Sequence, residues 1–460
     1  MTAIQQNSEF SCDVDVDCLI IGGGAAGLTA ALAAENRGLS VLVAEREDKL
    51  SGSTALSSGL IPAAKTKAQM RQKLDDDQEC FIADIMAKNE NTADIANVKR
   101  CVLAVSQAID WLEDSYDIPF HVLDSFLYPG HSRYRMHAVP EVTGAALITR
   151  LEQAAIKRDI FISCNLKVTE LVISEDGRIC GAQAVRPDGS IENIGASSVI
   201  LACNGYGGSP ELVSQHIPEM KEALYFGHPG NQGEAIIWGE ALGAKLLHLS
   251  GYQGHGSVAH PHGVLVTWAL MMEGGVQVNL DGQRFSNEHK GYSEQAVNVL
   301  SQPQKIAFNI FDERLLGLGR DFEDFRNAEA AGAVTTADTI EELAIKLGLP
   351  PESLSKTLNM CAAHASSGRP DQFGRMFKTE TLLQPRFAAV KVTGALFHTQ
   401  GGLAIDDKAR VIRNDGSVIM GLFACGGAAC GVSGPDVSGY LSGNGLLTAL
   451  ALGYVAGNAV

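Results

Sequence analysis

Basic charge is what this 460-residue chain most lacks: 36 lysines and arginines stand against 53 acids, for a formal net charge of −17. No basic block occurs along it, so neither a nucleic acid nor an anionic membrane surface is an expected partner. A local anion site stays open, because local charge is not net charge. No apolar run reaches membrane-spanning length without a charge or a glycine cluster. The opening, MTAIQQNSEFSCDVD, has no basic start followed by an apolar stretch, so it reads as a loose arm rather than a secretory signal. The ten cysteines include no CxxC. They read as small buried hydrophobes, with neither a disulfide framework nor metal or iron–sulfur spacing, in a reducing cytoplasm. The twelve histidines contain no HxxxH pair with an acid, and no metal is expected.

What is present is concentrated first in residues 17–46, DCLIIGGGAAGLTAALAAENRGLSVLVAER. A short apolar run ends at Ile21, Gly22-x-Gly24-x-x-Gly27 follows, and then a helical pattern with Leu28 and Leu32 four apart. A second apolar strand leads to Glu45. This order predicts a βαβ unit with a dinucleotide fingerprint. Gly22 permits the tight turn, Gly24 lets a pyrophosphate approach the backbone, and Gly27 lets the helix pack on the strand. The start of the helix, with Ala25 and Ala26, offers N–H groups to phosphates. Glu45 is placed to take ribose hydroxyls, which disfavours a 2′-phosphate. The fingerprint alone leaves NAD and FAD both open. A second fingerprint is absent, so the other redox partner is expected to be a small substrate or another carrier.

Residues 50–64 hold the Gly/Ser/Thr-rich SGSTALSSGLIPAA. Such a loop suits a phosphate or a flavin edge, and equally a plain surface loop. Residues 66–116 read as two helices, with Trp111 and Leu112 in the core. Residues 120–140 are irregular and carry Tyr128, His131, Arg133, Tyr134, Arg135 and His137, either lining a pocket or forming a solvated turn. Strands are expected over 161–174 and 179–186, with a hairpin on to 191–194. SVILACNGYGG, at 198–208, reads as a buried strand ending in a glycine turn. Composition shifts near Gly251 to mixed α+β, with helices over 339–347 and 351–365. The chain then returns to glycine-rich strands and a final helix over 445–457. The fold class expected is α/β, a Rossmann-like domain in two sequence segments (14–250 and 385–460) with an inserted α+β domain (251–384).

These motifs resemble the fumarate reductase/succinate dehydrogenase flavoprotein superfamily, which includes the 3-ketosteroid dehydrogenases. The marks are GGGAAG with Glu45, GSTALSSG, ACNGYGG, VQVNLDGQRFSNE at 276–288, HTQGGLAID at 398–406, and GLFACGG with SGNG near the end. The resemblance implies FAD in the two-part domain, with a capping domain over the flavin ring. It also implies cofactor contacts from Arg46, Gly52, Ser53, Thr54, Ser58, Gly59 and Val168. Later in the chain it implies contacts from Ala202, Asn204, Gly205, Gly233, Gly426, Gly443, Asn444 and Leu446. The flavin-attaching histidine of the respiratory members has no counterpart in GSTALSSG, so the FAD is expected to be non-covalent. The family's Gly-Glu and Gly-Asp-Gly read Gly426-Gly427 and Asn231-Gln232-Gly233 here.

Two further departures bear on catalysis. Counting eight residues from Arg284 in RFSNEHKGY, the position of a family arginine proton donor is Tyr292. A carboxylate-gripping arginine is Tyr440, in GYLSGN. The resemblance implies the ketosteroid dehydrogenase arrangement, with Ser442 beside Tyr440. The chemistry is coherent. Tyr440 donates to a ketone oxygen as it gains enolate charge, Tyr292 takes the α-proton, Ser442 relays or positions, and the flavin accepts a hydride. His398 and His255 match histidines that contact a substrate carboxylate in fumarate reductases, which leaves room for a keto acid gripped by Arg133 or Arg135. The expected activity is an FAD-dependent dehydrogenase that introduces a C=C beside the ketone of a cyclic substrate, with an unknown electron acceptor. The alternatives are a fumarate reductase-type alkene reductase and a flavin-binding protein without catalysis.

Overall fold

The computed structural model describes residues 4–6 and 11–460. The chain divides into two compact units. One comprises Met1–Pro218, Gly227–Tyr252 and His398–Val460; the other comprises Glu219–Phe226 and Gln253–Phe397.

The first unit is organised on a nine-stranded sheet. Its central strand, Val14–Ile21, runs parallel to Val41–Ala44 on one side and to Ile191–Leu201 on the other. Residues 18–21 are all buried, the unbroken pattern of a parallel strand covered on both faces. Ile191–Leu201 is one strand where the sequence suggests two. Its first half forms a hairpin with Ile179–Val185, and Val199 to Leu201 pair in parallel with Leu422 to Ala424. The last segment of the chain thereby re-enters the sheet. The single strand expected over 161–174 is two, Phe161–Ser163 and Lys167–Ile173, because Asn165 turns the chain between them at φ +55°. Ile4–Gln6 form a strand parallel to Lys167–Ile173, so that part of the expected arm is a sheet element. The arm's residues 1–3 and 7–10 lie outside the described residues. Residues 66–116 hold three helices rather than two: Lys67–Gln72, Gln78–Lys88 and Ile95–Tyr116.

Two helices set the ligand-facing end. Asn444–Ala459 packs on Ala25–Glu35 and touches its backbone. A Cβ on Gly453 would fall 2.4 Å from the Ala26 carbonyl oxygen, and one on Gly457 2.3 Å from that of Ala30. Glycine is what permits this approach.

The second unit carries a seven-stranded, mostly antiparallel sheet. It is centred on Phe387–Thr399, which pairs with Ile306–Asp312, Val334–Ala337 and Leu224–Tyr225. This pairing explains the unit's bounds. The sequence places the end of the insertion at residue 384, but Phe387 to Thr393 are matched residue for residue with Asp312 to Ile306. The unit therefore extends through Phe397 and also takes in Glu219–Phe226. Two buried clusters fill it, one around Trp268, Phe311 and Phe325 and the other around Phe308, Leu343 and Leu354.

Candidate active site

The three glycines of the fingerprint answer three different demands. Gly22 has φ +110°, and a Cβ there would fall 2.6 Å from the Ala202 carbonyl oxygen. At Gly27 a Cβ would lie 1.9 Å from the Gly22 carbonyl oxygen, so the helix is seated directly on the turn. Gly24 is different: the nearest neighbour of a Cβ would be Thr54 Oγ1 at 3.7 Å, which leaves room for a ligand. Gly24 also caps Ala25–Glu35, with no side-chain cap and no acid in the first turn. The positive end of that helix is not neutralised by its own residues. The Ala25 N–H donates to Thr54 Oγ1 at 3.2 Å.

Glu45 is buried, and its oxygens accept from the Gly23 N–H at 2.8 Å and the Glu47 N–H at 3.0 Å. It fixes the turn and retains lone pairs for hydroxyl donors. Ser53, in a short helix Gly52–Ala55, accepts from Asn204 Nδ2 at 3.0 Å and Asn231 Nδ2 at 2.9 Å. Asn204 is left-handed at φ +65°, and Thr399 leaves Gly205 no room for a Cβ. Arg46 is committed to Glu234, Nη2 to Oε1 at 2.6 Å, at the helix that follows Gly233 (φ +85°). Several candidates are packing positions. Gly59 faces the Thr143 carbonyl, Gly426 faces Ala26, and Gly443 faces Pro62, while Val168 and Ala202 are buried. Leu446 is half-buried and Ser58 is exposed. Asn444 is fully buried at the start of its helix; Nδ2 donates to Ser433 Oγ at 2.9 Å and Oδ1 is unpartnered. An open approach at Gly24, a helix start with no acid in its first turn, a carboxylate with spare acceptors and an orphaned buried amide oxygen together fit a flavin dinucleotide.

Tyr440, in the same unit, is buried, and the backbone N–H groups of Gly445 and Gly443 face its phenol oxygen. Burial raises its pKa above the ordinary tyrosine value, so the phenol keeps its proton. The His398 ring stands edge-on to Tyr440, centroids 5.7 Å apart, and its Nε2 lies 2.6 Å from where a Cβ on Gly445 would be. Asn444 donates to Ser433 and Ser433 to Gln400 Oε1 at 2.7 Å, while Gln400 Nε2 lies 2.9 Å from His398 Nδ1. The same Nδ1 is 3.1 Å from the Thr399 carbonyl oxygen, so the ring is held by both. Burial pushes the His398 pKa down to about 4, so the ring is neutral near pH 7. Of the two intermediaries, Gln400 has only its place in HTQGG to mark it in the sequence, and Ser433 has no mark.

In the second unit Tyr292 opens the helix Tyr292–Leu300. Gly254 and Gly256 let that helix lie directly on the strand Tyr252–Ala259: a Cβ on Gly254 would fall 2.7 Å from the Ser293 carbonyl oxygen, and one on Gly256 2.8 Å from Gln295. His255, between the two glycines, stacks on Tyr292 at 4.8 Å and on Phe397 at 5.4 Å. Phe226 stacks on the far side of Phe397 at 4.9 Å, and Trp268 meets His255 edge-on. This four-ring stack has no linear signature, because its members are separated by up to 171 positions (397 minus 226). The Ser257 N–H donates to His255 Nδ1 at 3.2 Å, and burial pushes the His255 pKa down to about 3. This histidine is also neutral.

The basic cluster of residues 120–140 resolves differently from expectation. Arg135 is fully buried between Asp76 and Asp84, at 3.0 and 2.8 Å, with its guanidinium over Phe81. Its charge is spent, and it cannot grip a substrate carboxylate. Arg133 is exposed and donates to the Ser132 carbonyl. Among the described residues no three His, Cys, Asp or Glu side chains are grouped to hold a metal ion, and no helix is long and apolar enough to cross a membrane.

Residues 17–446 match the family described as FAD binding domain. The chain belongs to that family. It is a flavin-dependent oxidoreductase of the fumarate reductase/succinate dehydrogenase flavoprotein superfamily. It is 29% identical over 444 residues to a probable fumarate reductase of Shewanella frigidimarina, covering 96% of this chain and 74% of that protein. Among solved structures it is similar to an open flavocytochrome c3 fumarate reductase, at TM-score 0.82 and 28% identity over 98% of this chain and 78% of that one. It is also similar to the 3-ketosteroid-Δ4-(5α)-dehydrogenase of Rhodococcus jostii in complex with 4-androstene-3,17-dione. There the TM-score is 0.79 and the identity 26%, over 98% of both chains.

Proposed function

We propose that this flavoprotein introduces a C=C α,β to the ketone of a cyclic, uncharged substrate, steroid-like or smaller, using non-covalently bound FAD. The observation that carries this is the charge state of the polar groups. Tyr440 is a buried, protonated phenol, and His398 and His255 are both held neutral by burial. A carboxylate-binding site needs fixed positive charge and a bidentate fork, which a phenol and a neutral imidazole lack. A ketone oxygen needs only donors.

Tyr440 Oη–H donates to the carbonyl oxygen as enolate charge grows there. The Gly443 and Gly445 N–H groups face that phenol oxygen and favour it as a donor. Tyr292 Oη, as phenolate, removes the α-proton. An unperturbed phenol titrates near ~10, and the neutral His255 face adds no charge of its own. Bound FAD supplies the acceptor for the β-hydrogen as hydride. Proton and hydride leave adjacent carbons, and the C=C forms between them.

The test is anaerobic mixing with cyclic ketones, followed by loss of the ~450 nm flavin absorbance. Bleaching by saturated ketones supports the dehydrogenase. A second reading, reduction of an activated alkene, is supported by the similarity to fumarate reductases. It predicts the reverse: no bleaching by the saturated compound, and rapid reoxidation of chemically reduced flavin by an alkene acid.

A further inference from the structure

The segment leading to Tyr440 is held by side-chain N–H donors on its carbonyl oxygens. Asn97 Nδ2 donates to Cys430 and Gly431 at 3.1 and 3.2 Å, and Asn89 Nδ2 to Val432 at 3.1 Å. At the far end, His131 Nε2 lies 2.9 Å from the Ser442 carbonyl oxygen. A carbonyl only accepts, so His131 donates from Nε2, and its buried Nδ1 is left without a partner. The neighbouring Gly130, at φ +83°, packs against Leu441, with 2.6 Å from an added Cβ to Leu441 Cδ1. The residues after His131 anchor it in turn. Ser132 donates from N and Oγ to Asp84 at 2.9 and 2.8 Å, and Arg135 bridges Asp84 and Asp76.

The Ser442 carbonyl and the Gly443 N–H belong to one planar peptide unit, in which the two bonds point in opposite directions. That N–H is one of the two that face the Tyr440 phenol oxygen. The Ser442–Gly443 peptide thus lies between the His131 N–H and the Tyr440 phenol.

We propose that His131 is a positioning residue for Tyr440, acting through the Ser442–Gly443 peptide plane: it fixes the direction of the Gly443 N–H and holds in place the backbone that carries Tyr440. This assignment rests on Tyr440 being the carbonyl donor of the proposed reaction. It makes the irregular 120–140 segment a strut beneath the donor rather than a basic pocket. Burial pushes the His131 pKa down to about 4, so the ring is neutral near pH 7, and the Nε2–H is its one donor.

The test uses holoprotein variants His131→Phe, His131→Asn and His131→Gln, where only the Gln amide reaches as far as Nε2. Loss of the hydrogen bond is expected to speed amide exchange in residues 441–446 roughly tenfold in the Phe and Asn variants. Exchange in residues 430–432, held by Asn97 and Asn89, stays unchanged, and Gln restores the wild-type rate. Affinity for a cyclic enone, read as a flavin spectral shift, is expected to fall roughly five- to tenfold in the Phe variant and to recover with Gln. In a Tyr440→Phe background the same change should cost nothing further. Unchanged exchange at 441–446, or an equal loss with and without Tyr440, overturns the proposal. If no cyclic ketone or enone perturbs the wild-type flavin, it is the proposed function that fails, and the exchange arm alone decides the role of His131.

Discussion

His255 lies face to face with Tyr292, ring centroids 4.8 Å apart and planes inclined by 23°. The imidazole is neutral and buried, with Nδ1 already accepting from Ser257. It therefore offers Tyr292 a flat, uncharged surface rather than a cation. The ring itself adds no charge beside that phenol. Turnover should show no limb near the ordinary histidine value from His255. Tyr292→Phe should lower turnover by roughly 100-fold; a pH profile of flavin reduction, wild type against variant, checks both.

Tyr440→Phe should cost roughly 100-fold in the rate of flavin reduction, the size expected for one lost donor to a developing oxyanion. Because the His398 and Tyr440 rings meet edge-on, the variant should keep its fold and its flavin. Stopped-flow reduction at saturating ketone, with thermal melting as the control, separates lost chemistry from lost structure.

The buried neutral histidines predict acid lability. His131 and His137 are pushed down to about 4, and His255 to about 3, from 6.5. Folded pKa values below the free value mean that the unfolded chain takes up protons the folded chain refuses. Stability therefore falls as pH drops from about 6.5 towards 4, by up to about 1.4 kcal/mol per histidine per pH unit. The melting temperature should decline steeply across that same window, and replacing His137 by Gln should flatten the decline.

Glu45 holds the Gly23 turn through one carboxylate oxygen and the Glu47 N–H through the other. Glu45→Gln keeps an acceptor but loses the charge. A charged hydrogen bond contributes about 1.5–3 kcal/mol, so FAD affinity should fall roughly 10- to 100-fold. The flavin-to-protein absorbance ratio after dialysis reads this directly. Acid precipitation of the wild type should leave all its flavin in the supernatant, as non-covalent attachment requires.

The glycine turn could be read from the sequence because sterics leave no substitute for glycine at Gly22 or Gly27. Tyr292 and Tyr440 could be singled out because counting from Arg284 and through GYLSGN is a local operation. The end of the inserted unit could not, since the boundary after Phe397 falls inside the continuous strand Phe387–Thr399, where no turn residue marks it. Nor could the fate of the basic cluster. The carboxylates that bury Arg135 come from Asp76 and Asp84, 59 and 51 residues earlier, and only the folded chain brings them to it.

That last pairing separates two roles for the cluster. A substrate-gripping arginine, once removed, would raise KM for a keto acid and leave the protein stable. Arg135 instead sits unexposed with two acids, and breaking a buried pair by removing one partner costs about 3–5 kcal/mol, because an uncompensated charge stays behind. Arg135→Ala should therefore melt far below the wild type or fail to fold. Arg135→Ala combined with Asp76→Ala and Asp84→Ala should recover part of the loss. Arg133→Ala, at an exposed position, should change neither the melting temperature nor the ratio of turnover on a neutral ketone to that on its carboxylate analogue. A selective loss on the carboxylate in Arg133→Ala would restore the keto acid as the substrate and displace the uncharged ketone.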